Sequence, residues 1–465
     1  MGLSLLEQLE TRRLFSGGKI DPVIEWNDVL IDALRADTTM PGPGWASRNG
    51  AIVHAAIFDA VNSIDGSYEP FLVDADVSKN LPLDAAVAGA GWRVLSKLYP
   101  AQQSTFDAAL KKTLKRVDNG KKETKAVALG IATADTCLAS RANDHSSDVV
   151  PYTVGSDPGD WQPTPPGYAD AWGPGWGLVT PFTMTTGAQF RPPPAPALTS
   201  AEYTAAYNDV KSLGAKNSTT RTADQTQIGI FWGYDRGGMG TPPALYNQWI
   251  QVIAQQTHNS TVENARLFAL ANIAMADAGV AAWDCKFIDN LWRPITGIQK
   301  GDTDGNPDTI GDPTWEPLGA PGGGVVPNFT PPFPAYVSGH ATFGAAVGEV
   351  LKDFYHTDKM KFTLTSDELP GVTRTFKTFS QAVEENGRSR IYLGIHWQFD
   401  NTEGQKLGRT IADFVFANAM ERDHGGHDHS GSIAAPQVKF IALDDSTTTP
   451  SVITLIDTPA DDLLV

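Results

Sequence analysis

Apolar side chains recur at intervals of three and four along most of this chain, the period of helices that bury one face. The pattern predicts helices over Ile24–Leu34, Ala51–Val61, Leu83–Leu98, Ala101–Leu114 and Lys121–Ala139, packed as a bundle around a common core. From Val150 to Ala197 Pro and Gly interrupt the pattern, with Trp161, Trp172 and Trp176 between them. Helices do not tolerate that punctuation. Its aromatic content predicts a packed covering loop. Helices resume near Ser200, with Thr241–Gln255, Val262–Trp283, Ser338–Phe354, Arg374–Gly387 and Thr402–Met420 the strongest. A second Pro/Gly-rich loop spans Lys300 to Pro334, and strand-like alternation is confined to short pieces, chiefly in the C-terminal tail.

This organisation predicts an all-α fold of two four-helix bundles with long Pro/Gly-rich covering loops. The first bundle is expected at about 19–215 and the second at about 216–421, with a linker and tail over 422–465. Composition agrees: 41% hydrophobic residues suffice for a sizeable core, and 44 Gly and 32 Pro suit long ordered loops. A net charge of −17 argues against nucleic acid as a partner. It also means that any bound anion needs a local basic pocket set against the global field. Two cysteines, Cys137 and Cys285, build neither a disulfide framework nor a zinc cluster. No run of about 20 apolar residues is evident, so no transmembrane helix is expected.

Three minor features have plain readings beside functional ones. DTDGNPD at 302–308 has the look of a calcium loop, but Pro313 stands where an EF-hand needs Glu, so a turn-rich loop is expected. His424, His427 and His429 could bind a metal, although short His clusters in polar sequence are more often solvated linkers. Residues 6–17, LEQLETRRLFSG, resemble a short N-terminal motif of exported planctomycete-type bacterial proteins, and residues 1–18 are read as that motif. It implies an exported or extracellular protein; read as an ordinary amphipathic helix, the segment leaves the protein cytoplasmic.

The chemistry lies in three segments of the second half. Lys286 and Arg293, seven apart, are expected nearly two turns apart on one helix face, aimed at one anion. Ser338-Gly339-His340 opens a helix: Ser338 reads as its N-cap, Gly339 permits close backbone approach, and the free N–H groups favour an anion. Arg390 supplies a third cation and His396 a second imidazole, while Asp400 with Glu403 reads as a capping pair that can also orient His396. Alone, each segment is equally a solvated charge pair or a capped helix.

Together, Lys-x6-Arg-Pro, Ser-Gly-His and Ser-Arg-x5-His-x3-Asp resemble the signature of the vanadium haloperoxidase and type-2 phosphatidic acid phosphatase superfamily. FWGYD at 231–235, GTPPALYNQ at 240–248, PPFPAY at 331–336, SGHATFG at 338–344 and IYLGIHWQFD at 391–400 resemble its chloroperoxidase branch. That resemblance covers about Phe231 to Met420.

The resemblance implies a vanadate cofactor, with hydrogen peroxide and halide as reactants and hypohalous acid as product. Bromide is the expected halide, with chloride and iodide as further candidates, and a small organic acceptor is compatible with the family. A homodimer is one assembly open to it. Vanadate oxygens are implied to contact Lys286, Arg293, Arg390, the Ser338 hydroxyl and the Gly339 N–H, with His396 the vanadium ligand. His340 is implied to manage the peroxide proton, giving His340, Lys286 and His396 as the catalytic set. Trp283 and Phe333 match positions flanking the halide site, and Asp235 matches an acidic partner of an active-site arginine. Val337 departs from the motif, which has proline there. The same constellation can bind phosphate, so an acid phosphatase with His396 as nucleophile and His340 as general acid is the alternative. A non-catalytic oxyanion-binding protein is the third reading, opposed by the presence of both histidines.

Overall fold

The computed structural model describes residues 20–37, 42–324, 326–423 and 438–440. The N-terminal motif and His424, His427 and His429 lie outside the described residues. Thirteen α-helices occur among those described: α1 (Pro22–Ala36), α2 (Pro43–Asp65), α3 (Leu83–Leu98), α4 (Gln103–Leu114), α5 (Lys121–Ser140), α6 (Ala201–Leu213), α7 (Ala223–Phe231), α8 (Thr241–Thr257), α9 (Thr261–Asp289), α10 (Pro294–Gln299), α11 (Gly339–Tyr355), α12 (Phe379–Tyr392) and α13 (Gln398–Asn418). Strands are few and short: β1 (Val73–Ala75), β2 (Lys359–Thr365), β3 (Thr373–Thr378) and β4 (Val438–Phe440). β1 pairs parallel with β4, and β2 pairs antiparallel with β3.

Local chemistry sets the helix ends. Asp21 caps α1 by accepting from the Val23 and Ile24 amides at 3.0 and 3.4 Å, with Pro22 in the first turn. Ser260 and Glu263 exchange bonds in a capping box at the start of α9. The early helices pack together, with α2 and α5 against α3 and α1 alongside. In the second half α11 packs against α13 and α12. α9 runs between the groups, touching α2 on one side and α11 and α13 on the other.

α9 corrects one expectation. By length and composition it is apolar enough to cross a membrane, although no such run was expected; 94% of that apolar stretch is buried inside the protein. A helix surrounded by other helices must be apolar all round.

A second correction concerns Arg374–Gly387. The helix starts only at Phe379; Arg374 lies in β3, where Phe376 faces Phe362 across the hairpin. Thr373-Arg-Thr-Phe-Lys-Thr378 holds one buried apolar residue, Phe376, among β-branched threonines, a strand preference that the following helical pattern obscures. α13 begins at Gln398 rather than Thr402, so Asp400 sits inside its first turn and is not the N-cap.

The covering loop is stapled to α9. The buried Asp277 carboxylate accepts from the amides of Phe182, Thr183 and Met184 and from the Thr183 hydroxyl. Arg191 pairs with Asp284 at 2.6 Å, and Asp289 accepts from the Ala195 amide at 2.8 Å. Four bonds to one buried carboxylate and a series of anchors make a fixed wall. In the other long loop, the Asp304 oxygens are taken by the Asn306 amide and the Thr309 hydroxyl, and Asp302 accepts from the Gly311 amide. These carboxylates are engaged in holding the turn. Both cysteines are buried and unbridged.

Candidate active site

The three chemistry-bearing segments meet at one cleft of about 220 Å³. Gly339, His340, Arg390 and His396 line it together with Trp283, Phe333 and Asp235. Lys286, Arg293 and Ser338 are fully buried beside them.

Lys286 and Arg293 do not share a helix as the spacing suggested. Asn290 takes the left-handed conformation at φ 52° and ends α9, and Pro294 starts α10 with Arg293 as its N-cap. Two separate helix ends therefore bring the cations together. The Lys286 amine donates to the carbonyls of Pro334, Ala335 and Val337 at 3.0, 3.1 and 2.6 Å. It thus ties down the segment entering α11, a constraint that proline at position 337 would otherwise have contributed.

Arg293 is held by the Phe333 and Ile395 carbonyls at 2.7 and 2.8 Å, and its Nη1 lies 2.9 Å from His396 Nε2. His396 Nδ1 donates to Asp400 Oδ2 at 2.8 Å, and the same oxygen accepts from the Trp397 amide at 3.0 Å. This arrangement places the imidazole lone pair on Nε2. Arg390 donates to Asp235 at 2.7 Å. Three guanidinium nitrogens, Arg293 Nη2 and Arg390 Nε and Nη1, are buried without a partner. Buried donors of this strength normally find acceptors, so the donor set fits the oxygens of an anion.

Ser338 caps α11, its Oγ accepting from the Ala341 amide at 3.4 Å while its own amide donates to the Asp400 carbonyl at 3.0 Å. The Gly339 amide stands at the start of that helix, where unpaired N–H groups and the helix dipole favour negative charge. His340 Nε2 lies 3.1 and 2.8 Å from the carbonyls of Trp232 and Gly233, which makes it the donor nitrogen and leaves Nδ1 as the acceptor. The His340 carbonyl is held by the Tyr246 hydroxyl and the Asn386 amide.

Titration behaviour follows from crowded buried cations. Burial, then Arg293, drives Lys286 well below its ordinary range. Burial lowers Arg293 to about 9, with Arg390 adding to the shift. His396 is pushed well below 6.5 by burial and then by Arg293, Lys286 and Arg390. His340 falls to about 4 through burial and Arg390. Burial raises Asp400 to about 7 against the Trp397 amide and the nearby cations. Every cationic shift has the sign that an added oxyanion would oppose.

The residues of the three segments, with Trp283, Phe333 and Asp235, are thus brought together. Others were missed. Trp172 of the covering loop lines the cleft, its ring edge-on to Trp283 at 5.0 Å and 6.3 Å from Phe333. Leu34, Gly42 and Pro43 reach it from the first helices, and Phe343 from α11. The Trp-rich texture of the loop was visible, but its contact with a helix 111 residues later had no local signal.

Comparison with known proteins gives three findings. Residues 266–425 match the family model described as the VCPO second helical-bundle domain. The chain is 31% identical over 483 aligned positions to vanadium chloroperoxidase from Curvularia inaequalis, covering 81% of this chain and 78% of that protein. Its structure is similar to the crystal structure of a bacterial vanadium-dependent iodoperoxidase, with a TM-score of 0.73, 28% identity, and coverage of 88% of this chain and all of that one. A holo-type bacterial vanadium-dependent chloroperoxidase shares the fold at a TM-score of 0.64 and 16% identity, with 87% of this chain and 98% of that chain covered.

Proposed function

This chain belongs to the vanadium-dependent haloperoxidase family, and from that premise we propose that its cleft binds vanadate and oxidises bromide with hydrogen peroxide to hypobromous acid. The protein is a haloperoxidase with a vanadate cofactor by that membership. Bromide as the halide, and the role of each residue, are our reading. The observation carrying it is the set of three buried, unpartnered guanidinium nitrogens beside the His396 lone pair and the N-terminus of α11. That donor set fits a tetrahedral oxyanion with one nitrogen ligand.

Arg293, Arg390, Lys286, the Ser338 hydroxyl and the Gly339 amide would hold the oxyanion oxygens, and His396 Nε2 the metal. Bound vanadate supplies a Lewis acid that polarises peroxide for attack by halide. The protein's own residues do the rest. Asp400 holds His396 in the tautomer with its lone pair on Nε2. Arg293 Nη1 now caps that lone pair and is freed to bond an oxyanion once His396 serves as ligand. His340, neutral and fixed through Nε2, accepts the peroxide proton at Nδ1 and returns it to the departing oxygen. Asp235 keeps Arg390 aimed at the cleft. Trp283 and Phe333 form the dry wall along which the halide approaches. Lys286 and Arg293 lie over the Phe333 ring at 5.1 and 4.8 Å, so this wall carries positive charge behind it. Bromide surrenders electrons more readily than chloride, so it reacts at any site able to oxidise chloride.

A paired assay separates this from ester hydrolysis on the same cradle. Purified vanadate-free protein is given vanadate, peroxide and bromide in one arm, and a phosphate monoester without vanadate in the other. Bromide oxidation in the first arm is the expected result. Turnover of the ester alone would assign the cleft to a phosphatase.

A further inference from the structure

His340 takes its tautomer from two consecutive backbone carbonyls, those of Trp232 and Gly233, which lie 3.1 and 2.8 Å from its Nε2. Both reach one nitrogen because the chain turns where α7 ends. Trp232 caps that helix, and Tyr234 takes the left-handed conformation at φ 58°. A bulky residue holds that conformation at a cost, and keeps it only where its surroundings fix it.

The surroundings here are specific. The Phe231 carbonyl accepts from the Ser366 hydroxyl at 2.6 Å. The Tyr234 hydroxyl donates to Gln248 at 3.1 Å and accepts from the Asp367 amide at 2.8 Å. Between them the fully buried Trp232 ring donates through Nε1 to Glu385 Oε1 at 3.0 Å. Glu385 belongs to α12, the helix that carries Arg390. Its carboxylate is held by Arg374 of β3 at 2.6 and 2.9 Å, and Arg374 also reaches Asp224 and Gln227 of α7. Neither Glu385 nor Trp232 is among the residues lining the cleft.

The ion pair between β3 and α12 is complete without Trp232. The added bond runs toward the site. A carboxylate is a stronger acceptor for a buried indole N–H than a neutral group. A close-packed ring has little room to turn about its own side-chain bonds, so fixing the indole also fixes the backbone that bears it.

We propose that Glu385 is a positioning residue for the peroxide reaction: through the Trp232 indole it holds the carbonyls that keep His340 protonated at Nε2 and open at Nδ1. This rests on the haloperoxidase reading above. Losing the bond leaves the vanadate cradle in place, because Lys286, Arg293, Arg390 and His396 have their own supports. It lets the Trp232 carbonyl shift, and His340 then divides between its two neutral tautomers. The form protonated at Nδ1 offers no acceptor to the cleft.

Three variants separate this role from a purely structural ion pair. Glu385→Ala removes both bonds. Glu385→Gln keeps an oxygen for the indole but ends the charge pair with Arg374. Trp232→Phe keeps a ring and removes the N–H. On vanadate-free protein carrying isotope-labelled histidine, ring-nitrogen NMR spectra report the His340 tautomer, its signals assigned by their absence from His340→Ala. The parent and Glu385→Gln should show the form protonated at Nε2, and Glu385→Ala and Trp232→Phe a mixture with the other form. On vanadate-loaded protein, Glu385→Ala and Trp232→Phe should lose about ten- to a hundredfold in kcat, with vanadate Kd and bromide KM near the parent's. Glu385→Gln should recover most of that loss. A His340 tautomer unchanged in both Glu385→Ala and Trp232→Phe overturns the proposal, whatever their folding stability. So does Glu385→Gln as impaired as Glu385→Ala, which would leave only the ion pair with Arg374. Neither outcome touches the haloperoxidase reading, which fails instead if the loaded parent oxidises no bromide.

Discussion

His396 is held at both nitrogens: Asp400 takes the Nδ1 proton, and Arg293 Nη1 covers the Nε2 lone pair. His340 is held differently, through backbone carbonyls at Nε2, with Nδ1 left for chemistry. The two imidazoles should therefore fail differently. His396→Ala is expected to abolish productive vanadate binding. His340→Ala should still bind vanadate, more weakly, because the cationic cradle survives, yet lose about a hundredfold to ten-thousandfold in turnover. Vanadate titrations and bromide oxidation rates at matched occupancy check this; loss of binding in His340→Ala with normal binding in His396→Ala would reverse the roles. Asp400→Asn probes the support. The amide cannot match a carboxylate as acceptor for both His396 Nδ1 and the Trp397 amide, so vanadate affinity should fall roughly ten- to a hundredfold. Unchanged affinity would reduce Asp400 to a helix-start residue. That the three segments belong together was legible in the sequence through their joint resemblance to a known signature, since each segment alone reads as a solvated charge pair or a capped helix. Their supports were less so. Asp400 carried its spacing to His396 openly, whereas the carbonyls of Trp232 and Gly233 that fix His340 have no side-chain signature.

At the scale of elements, long helices were visible wherever one apolar stripe repeats, and junctions were not. Lys286 and Arg293 were placed on one helix because Asn290 is an unremarkable residue until its left-handed backbone ends α9. β3 was absorbed into a helix because its six residues run directly into α12. The α11–α13 contact shows what the site requires of its elements. A methyl group at Gly408 would overlap the Thr342 carbonyl oxygen and crowd Ala345 and Ala346 on α11. The helix bearing Ser338 and the helix following His396 would have to separate. Gly408→Ala should therefore lower stability by about 1–3 kcal/mol, despite the roughly 1 kcal/mol gained in helix propensity. Thermal or urea unfolding measures it, and a variant as stable as the parent would mean that the two helices do not pack as closely as described.

Across the whole molecule, a chain of net charge −17 encloses a group of buried cations, Lys286, Arg293 and Arg390. The surrounding field opposes the approach of vanadate and halide, and mobile ions screen it over about 30 Å at 0.01 M but about 10 Å at 0.1 M. Association of vanadate with the vanadate-free protein should therefore accelerate as an inert salt such as sodium nitrate is raised between those limits. A rate that falls would show that local attraction at the cleft mouth dominates. The covering loop adds a second whole-molecule feature. It joins the first-half helices to the second-half site through Asp277, Asp284 and Asp289 of α9, and it delivers Trp172 to the cleft. Such long-range assembly was invisible to local periodicity, which is why that wall of the cleft emerged only in three dimensions.

The central claim is that one oxyanion cradle, completed by vanadate, performs halide oxidation. Its most direct test is a stoichiometric titration of exhaustively vanadate-free protein, with bound vanadium and peroxide-dependent bromide oxidation measured on the same samples. Activity is predicted to rise in proportion to bound vanadium, to level off at one equivalent per chain, and to be delayed by inorganic phosphate competing for the same cradle. Full bromide oxidation before any vanadate is added, or one equivalent bound with no bromide oxidised, would contradict it.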